Sequence, residues 1–579
     1  MHALIDFAAP GADGVGAVRA AFAAPLAVLV ANTLAEVQPL LEAVQAHATS
    51  GRWCVGYLRY EAALAFDAAL QVHAADGPLA WFGVHEAPLP WPEEPLPMAT
   101  LGGLQDPDRA AFSAALAQTH AAIAAGEVYQ VNHTARLEAR LASGSVQALF
   151  HALQRAQPGG YAACIDSGGE QVLSVSPELF FDWTGGRLLT RPMKGTAPRG
   201  STPEEDAARA QALQASPKER AENVMVVDML RNDVSRIALP HSVQVPRLFH
   251  LEALPSVWQM TSDVTATTRP GTTLADVFTA LFPCGSVTGA PKVRAMQLIH
   301  ALEPGPRGVY CGAVGVVRPG GDATFNVAIR TVTLQGTKAV CGIGSGITAD
   351  AQPDAEWREW RHKRAFLERA RAPFALLETL ALADGVCRNA ALHLARMATA
   401  AAHFGYPWNG SVVHAALQGV QQAHATGAWR VRLLLLADGS AQAQAFALPA
   451  TPGPVRLQLA AQAFEMADSE FTRFKTTRRD HYDAVAPTDP TVFDTLLWND
   501  KREITECTRG NIALLLDGQW VTPPLHCGLL PGVGRAKALE AGRLQEKVVM
   551  LEDLPRVAAL AFVNSLRGWL PATLVKTAA

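Results

Sequence analysis

Cysteine is scarce and solitary in this sequence: eight residues stand singly at positions 54, 164, 284, 311, 341, 387, 507 and 527, with no C-x-x-C pair. That pattern gives neither a zinc ribbon nor a disulfide frame, and the thiols are expected to be reduced. No apolar run approaches the ~18 residues of a membrane span. The N-terminus has no basic region leading into an apolar core. A soluble, cytoplasmic protein without a membrane partner is the expectation. Long basic stretches with interleaved aromatics are also missing and the formal charge is only −4, so nucleic acid is not an expected partner. No repeat of solenoid period occurs.

Length is what the chain has. Its 579 residues suggest about three to four units at ~150 residues each. Near Arg364 to Pro373 a charged helical stretch, Glu359 to Arg371, gives way to the apolar run Phe374 to Leu380. The expected domains are therefore 1–370 and 374–579, with 1–100 as the outer part of the first. Within that outer part, Trp53 to Glu61 reads as a strand entering a helix. Ala87 to Pro95 is a proline-rich link that cannot be an ordinary helix.

The run Thr190-Arg191-Pro192-Met193-Lys194-Gly195-Thr196 offers a primary amine that can act as a covalent nucleophile. Alone, it is equally a strand ending in a Gly-Thr turn with a solvated lysine. Sixteen residues earlier, Glu178 stands in the apolar stretch Ser176 to Phe180; in an apolar pocket its pKa would rise and it would protonate a leaving hydroxyl. Glu219 to Asp233 alternates charged and apolar residues at helical spacing. A second helix is expected to open at Asp350 to Pro353 and to carry Glu356, Glu359 and Lys363 on one face. Two helices that each present a carboxylate to a common cleft would suit magnesium. The glycines of Pro283 to Lys292 and of Cys341 to Gly346 would let backbone N–H groups approach a carboxylate. Arg330, after an alternating strand, would fork onto another.

These runs, in this order over residues 100 to 370, resemble the chorismate-utilising enzymes. The resemblance implies an anthranilate synthase component I-like, β-sandwich-type α+β domain. Anthranilate synthases usually carry alanine at the place of Lys194, whereas the aminodeoxychorismate synthases carry lysine in a Pro-x-Lys-Gly-Thr run, so the resemblance is to their component I. It implies a substrate pocket of Gly195, Thr196, Tyr310, Arg330, Gly344, Gly346 and Lys363, and Mg2+ held by Glu222 and Glu359. Glu178 would assist departure of the 4-hydroxyl of chorismate while the Lys194 amine adds at C2, and ammonia would then enter at C4. Many relatives have His where this chain has Gln259, which hydrogen-bonds but carries no proton. The sequence holds no evident Cys-His-Glu glutaminase constellation, so ammonia is expected from a separate glutamine amidotransferase subunit or from solution.

Beyond residue 374, Leu392-His393-Leu394-Ala395-Arg396 opens a helix that Gly405 ends. Phe471 to Arg479 sets Lys475 among cations, where its pKa should fall; a basic surface loop reads the same way. Asp517-Gly518 between two strand-like runs marks a hairpin. Gly528 to Arg535 leads into a helix and makes a plausible phosphate cradle. Arg396, Lys475, Thr505-Glu506-Cys507-Thr508 and Gly528 to Val533 in this order resemble the fold-type IV pyridoxal-phosphate enzymes, which include 4-amino-4-deoxychorismate lyase and aminotransferases. The family's domains open on a further strand without a counterpart here. The resemblance implies a Schiff-base lysine at Lys475, Glu506 on the pyridinium nitrogen, phosphate held by Arg396 and the backbone of Gly532 and Val533, and an active-site threonine at Thr379. A lyase would consume what the first domain makes, expelling pyruvate to leave 4-aminobenzoate, a folate precursor. Competing readings are an anthranilate-type synthase joined to an aminotransferase, and a synthase whose second half binds without catalysing.

Overall fold

The computed structural model describes residues 2–10, 16–92, 98–200, 203–254 and 257–575, and the chain divides into two compact units, Met1–Pro373 and Phe374–Ala579. Residues 93–95 of the proline-rich link lie outside the described residues.

Among the described residues of the first unit, two large antiparallel sheets of nine and ten strands carry the fold. Their strands alternate in the manner of half-buried β-structure, with successive side chains on opposite faces. On Ala3–Phe7, for example, Ile5 and Phe7 join a core with Ile165 from their own sheet and Tyr57, Val314 and Val316 from the other, whereas Leu4 points to the opposite face, among Phe112, Phe150 and Trp360 of three helices. The second sheet is likewise covered on its far face, by Val37 and Leu41, Val226 and Leu230, and Val277 and Phe278. The order is helices, sheet, sheet, helices, a two-sheet sandwich with helical outer layers.

Residues 1–100 are integral to this sandwich. Ala3–Phe7 and Val18–Phe22 finish one sheet, and Trp53–Leu58, Ala80–His85 and Ala27–Ala31 finish the other. Trp53–Leu58 is followed by the short 3-10 helix Tyr60–Ala65, in keeping with the strand-then-helix expectation. The expected long helices are Pro217–Ser235 and Pro353–Ala370, each with proline in its first turn, where the missing N–H costs nothing.

In the second unit a four-stranded sheet contains Leu376–Ala383, Ala428–Leu435 and Ala441–Ala447 and packs under the helices Ala390–Phe404 and Gly410–Ala423. An eight-stranded sheet centres on Gly568–Leu574 and Ala559–Asn564. Asn511–Leu516 and Gln519–Thr522 pair antiparallel across Asp517-Gly518, both at positive φ, 52° and 81°, the backbone a two-residue hairpin requires.

Candidate active sites

In the first unit, Lys194 sits at a β-bulge. Met193–Pro198 pairs with Val257–Thr267, but the register steps from Met193↔Thr261 to Thr196↔Gln259, so one strand carries an extra residue. Gly195 absorbs it at φ 94°, a conformation costly to any residue with a Cβ. The Lys194 Nζ then lies 2.7 Å, and Gln130 Nε2 2.6 Å, from the place a Cβ on Gly346 would occupy. Gly344 similarly admits Thr134, and Gly342 the ring of Tyr310, whose Cδ1 lies 2.0 Å from the corresponding point. These glycines belong to the strand Lys338–Ile347, paired along its length with Gln130–Ser143. In this strand they give clearance to neighbouring side chains.

Glu178 is 4% exposed. Burial pushes its pKa up to about 7 against the opposing influence of Ser286, Lys194, the Met193 backbone and Lys363. Its Oε1 has no hydrogen-bond partner among the described residues, an expensive condition for a buried acceptor. Arg330 is the cationic counterpart: burial lowers its pKa to about 10, its guanidinium lies over Phe366 at 5.3 Å, and no protein carboxylate pairs with it among the described residues. A half-buried guanidinium without an ion pair is a site for an anion. Lys194 is likewise without an ion pair among the described residues, while its charge reaches Glu178, Glu219 and Glu359.

The two helices bring four acids into one field. Burial raises the pKa of Glu219, and the charges of Glu222 and Glu359 raise it further; burial and Glu359 do the same to Glu356, which accepts a 2.7 Å bond from Ser345 Oγ. Partial desolvation raises Glu359, whose side chain is 47% exposed, but Lys363, Lys194 and Lys218 outweigh it and hold its carboxyl below the usual range. Among the described residues no group of three or more His, Cys, Asp or Glu side chains is arranged to hold a metal, but magnesium needs only one or two carboxylates. Glu222 and Glu359 fit that demand, since a divalent cation there would relieve the repulsion seen at Glu219. At present each is paired with a lysine one turn away, Glu359 with Lys363 at 2.6 Å and Glu222 with Lys218 at 3.9 Å. Lys363 also donates to the Gly344 carbonyl at 2.8 Å. Sequence reasoning missed Gln130 and Glu219 as site residues and gave Glu356 no role of its own. The repeated E-x-x-E spacing, Glu219/Glu222 and Glu356/Glu359, was a usable signal.

In the second unit, the Lys475 carbonyl accepts from the Leu377 N–H at 3.0 Å, which fixes the lysine beside the strand carrying Thr379. Its pKa falls to about 8. Burial is the largest cause, with Arg479 and Arg396 adding to it, so the cations the sequence pointed to rank second. Glu506 is 3% exposed and burial lifts its pKa to about 8. It accepts from Tyr482 Oη at 2.6 Å, the Leu530 N–H at 3.1 Å and Asn511 Nδ2 at 3.4 Å. No cation pairs with it among the described residues, so a protonated ring nitrogen fits there. Arg396 donates through Nε and Nη2 to Glu378 at 2.8 and 2.7 Å and through Nη1 to the Pro531 carbonyl at 2.9 Å. That ties it to the turn before Val533–Glu540, where a Cβ at Gly532 would stand 1.9 Å from Asn511 Oδ1. Glu378 in turn contacts His393 Nδ1 at 2.6 Å, and His393 Nε2 contacts Ser565 Oγ at 2.8 Å. These residues fit a phosphate-bearing pyridine cofactor: a guanidinium held at a helix N-terminus and a buried acid with no ion pair among the described residues. Tyr482, Glu378, His393 and Ser565 carried no role in the sequence reading: Glu378 and His393 lie in runs that stood out for other residues, and Tyr482 and Ser565 lie in none.

The family described as chorismate binding enzyme matches residues 15–369. The chain belongs to it. Residues 375–575 match the amino-transferase class IV family, and the architecture is a chorismate-binding domain followed by a fold-type IV aminotransferase-like domain. The aminodeoxychorismate synthase component 1 of Salmonella typhimurium is 38% identical over 306 residues, 52% of this chain and 66% of that one. The anthranilate synthase component 1 of Streptomyces coelicolor is also 38% identical, over 48% of this chain and 54% of its own length. This chain thus spans about half to two thirds of the length of these relatives. Anthranilate synthase component I of Streptococcus pneumoniae shares the fold of the first unit, with a TM-score of 0.53 at 23% identity over 64% of this chain and 92% of the other. Among the described residues no helix is long and apolar enough to cross a membrane.

Proposed function

We propose that the chain makes 4-aminobenzoate from chorismate in two steps, amination to 4-amino-4-deoxychorismate in the first unit and elimination of pyruvate in the second. The observation that carries this reading is the amine of Lys194, free of any ion pair among the described residues, over Gly346 and within the field of a buried acid, Glu178, whose pKa is about 7. Arg330 receives a carboxylate of chorismate, and the Tyr310 ring walls the pocket. Glu222 and Glu359 are the residues that would hold magnesium, with Glu219 and Glu356 beside them. The Lys194 nitrogen forms a bond to C2 as both ring double bonds shift and the C4–O bond breaks, and Glu178 gives its proton to the departing hydroxyl. Ammonia, supplied by a separate glutamine amidotransferase or from solution, then bonds to C4 and the C2–N bond to Lys194 breaks.

In the second unit Arg396, Gly532 and Val533 would hold the phosphate of pyridoxal phosphate and Glu506 its ring nitrogen. When bound, the coenzyme supplies an electron sink. Lys475, with a pKa near 8, takes the proton from the ring carbon that bears the amino group, and Thr379 is placed on the adjoining strand to orient the substrate. Loss of the enolpyruvyl group as pyruvate leaves an aromatic ring, a strong driving force.

The test is product identification after incubating the protein with chorismate, magnesium, an ammonium salt and pyridoxal phosphate. The expected result is 4-aminobenzoate with matching pyruvate. Aminodeoxychorismate alone would sink the lyase assignment, and 2-aminobenzoate would overturn the role of Lys194, as expected for an anthranilate-type enzyme.

A further inference from the structure

The bulge that turns Lys194 out of the ladder leaves the carbonyl of Gly195 without a place in the strand pairing. One side chain supplies the missing bond. Gln259, on the facing strand and in register with Thr196, is 7% exposed; its Nε2 donates to the Gly195 carbonyl at 2.8 Å and its Oε1 accepts from Thr196 Oγ1 at 3.0 Å. Nε2 also lies 3.3 Å from the Met260 carbonyl, so the amide is fixed in the orientation that puts nitrogen toward Gly195. A single group therefore grips both residues that follow Lys194, one by donating and one by accepting. An amide does both without titrating, and its length spans the two residues. A carboxylate would still accept from Thr196 but would set an anion against the Gly195 carbonyl; an aliphatic side chain would do neither.

The geometry points to Gln259 as a positioning residue for Lys194: it locks the Lys-Gly-Thr bulge so that the amine stands over Gly346. This rests on the reading of Lys194 as the nucleophile. A misplacement of about 1 Å in a reacting group is enough to slow a step ~100-fold, and a bulge without its clamp has the freedom to shift by that much. Charged groups near the clamp are Lys194 on the facing strand Met193–Pro198, Glu219 from the helix Pro217–Ser235, whose Oε2 lies 3.1 Å from the place of a Cβ on Gly195, and Glu252 on the strand Gln244–Ala253, in register with Gln259.

The test compares the full-length protein with Gln259→Glu and Gln259→Leu, reading product formation from chorismate with ammonium against pH, and the rate at which acetic anhydride labels Lys194 relative to exposed Lys338, by mass spectrometry. At about pH 8.5 both variants are expected to lose about tenfold or more in kcat with KM for chorismate changed less than about twofold, the mark of a group needed in the reacting state only. In Gln259→Glu the ratio to wild type should recover about fivefold or more toward about pH 6, as the carboxyl regains a proton to donate. Gln259→Leu should show no recovery. The relative labelling of Lys194 should change about threefold or more in both. Wild-type kcat in both variants, a loss confined to KM, or unchanged Lys194 labelling would each overturn the proposal. Should Gln259→Leu fail to fold, the pH recovery of Gln259→Glu decides alone. Lys194→Ala, assayed in parallel, separates the two ideas: if it keeps wild-type turnover, the nucleophile reading fails, whereas unchanged labelling of Lys194 in the Gln259 variants defeats the clamp whatever Lys194 does.

Discussion

Burial disfavours the charged form of any ionisable group, and the two sites use that fact in opposite directions. At Glu178 it keeps a carboxyl protonated up to a pKa of about 7, so the acid is ready to donate. The share of the amination rate that this acid controls should accordingly be full well below pH 7 and, at a fixed concentration of free ammonia, fall about tenfold per unit above it. In Glu178→Gln the rate should drop by about 10²–10⁴ and this limb should vanish; a variant that keeps the limb would show that another group titrates. At Lys475 burial removes a proton from an amine, bringing its pKa to about 8, so the elimination step should fail progressively below pH 8. Lys475→Ala should lose that step and the visible absorbance of bound coenzyme while keeping the amination rate of the first unit. Aminodeoxychorismate should then accumulate, as chromatography of the reaction would reveal.

At the level of elements, the strand Lys338–Ile347 offers a contrast between two glycines. A methyl at Gly342 would meet the Tyr310 ring at 2.0 Å, a buried body with nowhere to go. At Gly346 it would meet the ends of Gln130 and Lys194, which can swing aside. Gly342→Ala should therefore lower Tm by several degrees. Gly346→Ala should leave Tm within about 1 °C and lower kcat by about tenfold or more, because one of the displaced groups is the reacting amine of Lys194; scanning calorimetry and steady-state kinetics would check the pair. The same strand shows what was readable in advance. Its glycines were legible as a spacing, while the Asp517-Gly518 turn, the prolines opening Pro217–Ser235 and Pro353–Ala370 and the stop at Gly405 are local signals, each tied to a backbone conformation. The lone guanidinium of Arg330, the clamp of Gln259 and the Tyr482–Glu506 pair depend on partners brought together by the sheet order, in which neighbours such as Gln130–Ser143 and Lys338–Ile347 are far apart in sequence. Local patterning carries no information about such pairings, and no composition rule predicts which buried group lacks a partner.

On the scale of the molecule, each unit has hydrophobic clusters of its own, exemplified by those around Phe278 and Phe404, and each is expected to give its own unfolding transition. Their pH dependence follows from the buried groups. In the second unit Glu506 has a folded pKa of about 8 against 4.5, so its contribution to stability is complete below pH 4.5 and is lost as pH rises through 8. His481, lowered by burial to about 4 from 6.5, contributes in the opposite sense: its share is present above pH 6.5 and lost as pH falls through 4. Between pH 6.5 and 8 the histidine contribution is complete and the loss at Glu506 exceeds the opposing gain from Lys475, which begins only near its folded pKa of about 8, so the Tm of this transition should fall across that window in the coenzyme-free protein. Pyridoxal phosphate at about 100 times its Kd adds ~2.7 kcal/mol, or roughly 5–11 °C for a unit of this size. Because it would place a ring nitrogen against Glu506, it should also flatten the fall. The transition of the first unit should not respond to it. Calorimetry at pH 6.5 and 8, with and without coenzyme, measures all of this. A coenzyme shift that is equal in both transitions would mean that the two units unfold as one, and a shift that leaves the slope unchanged would mean that Glu506 does not face the ring.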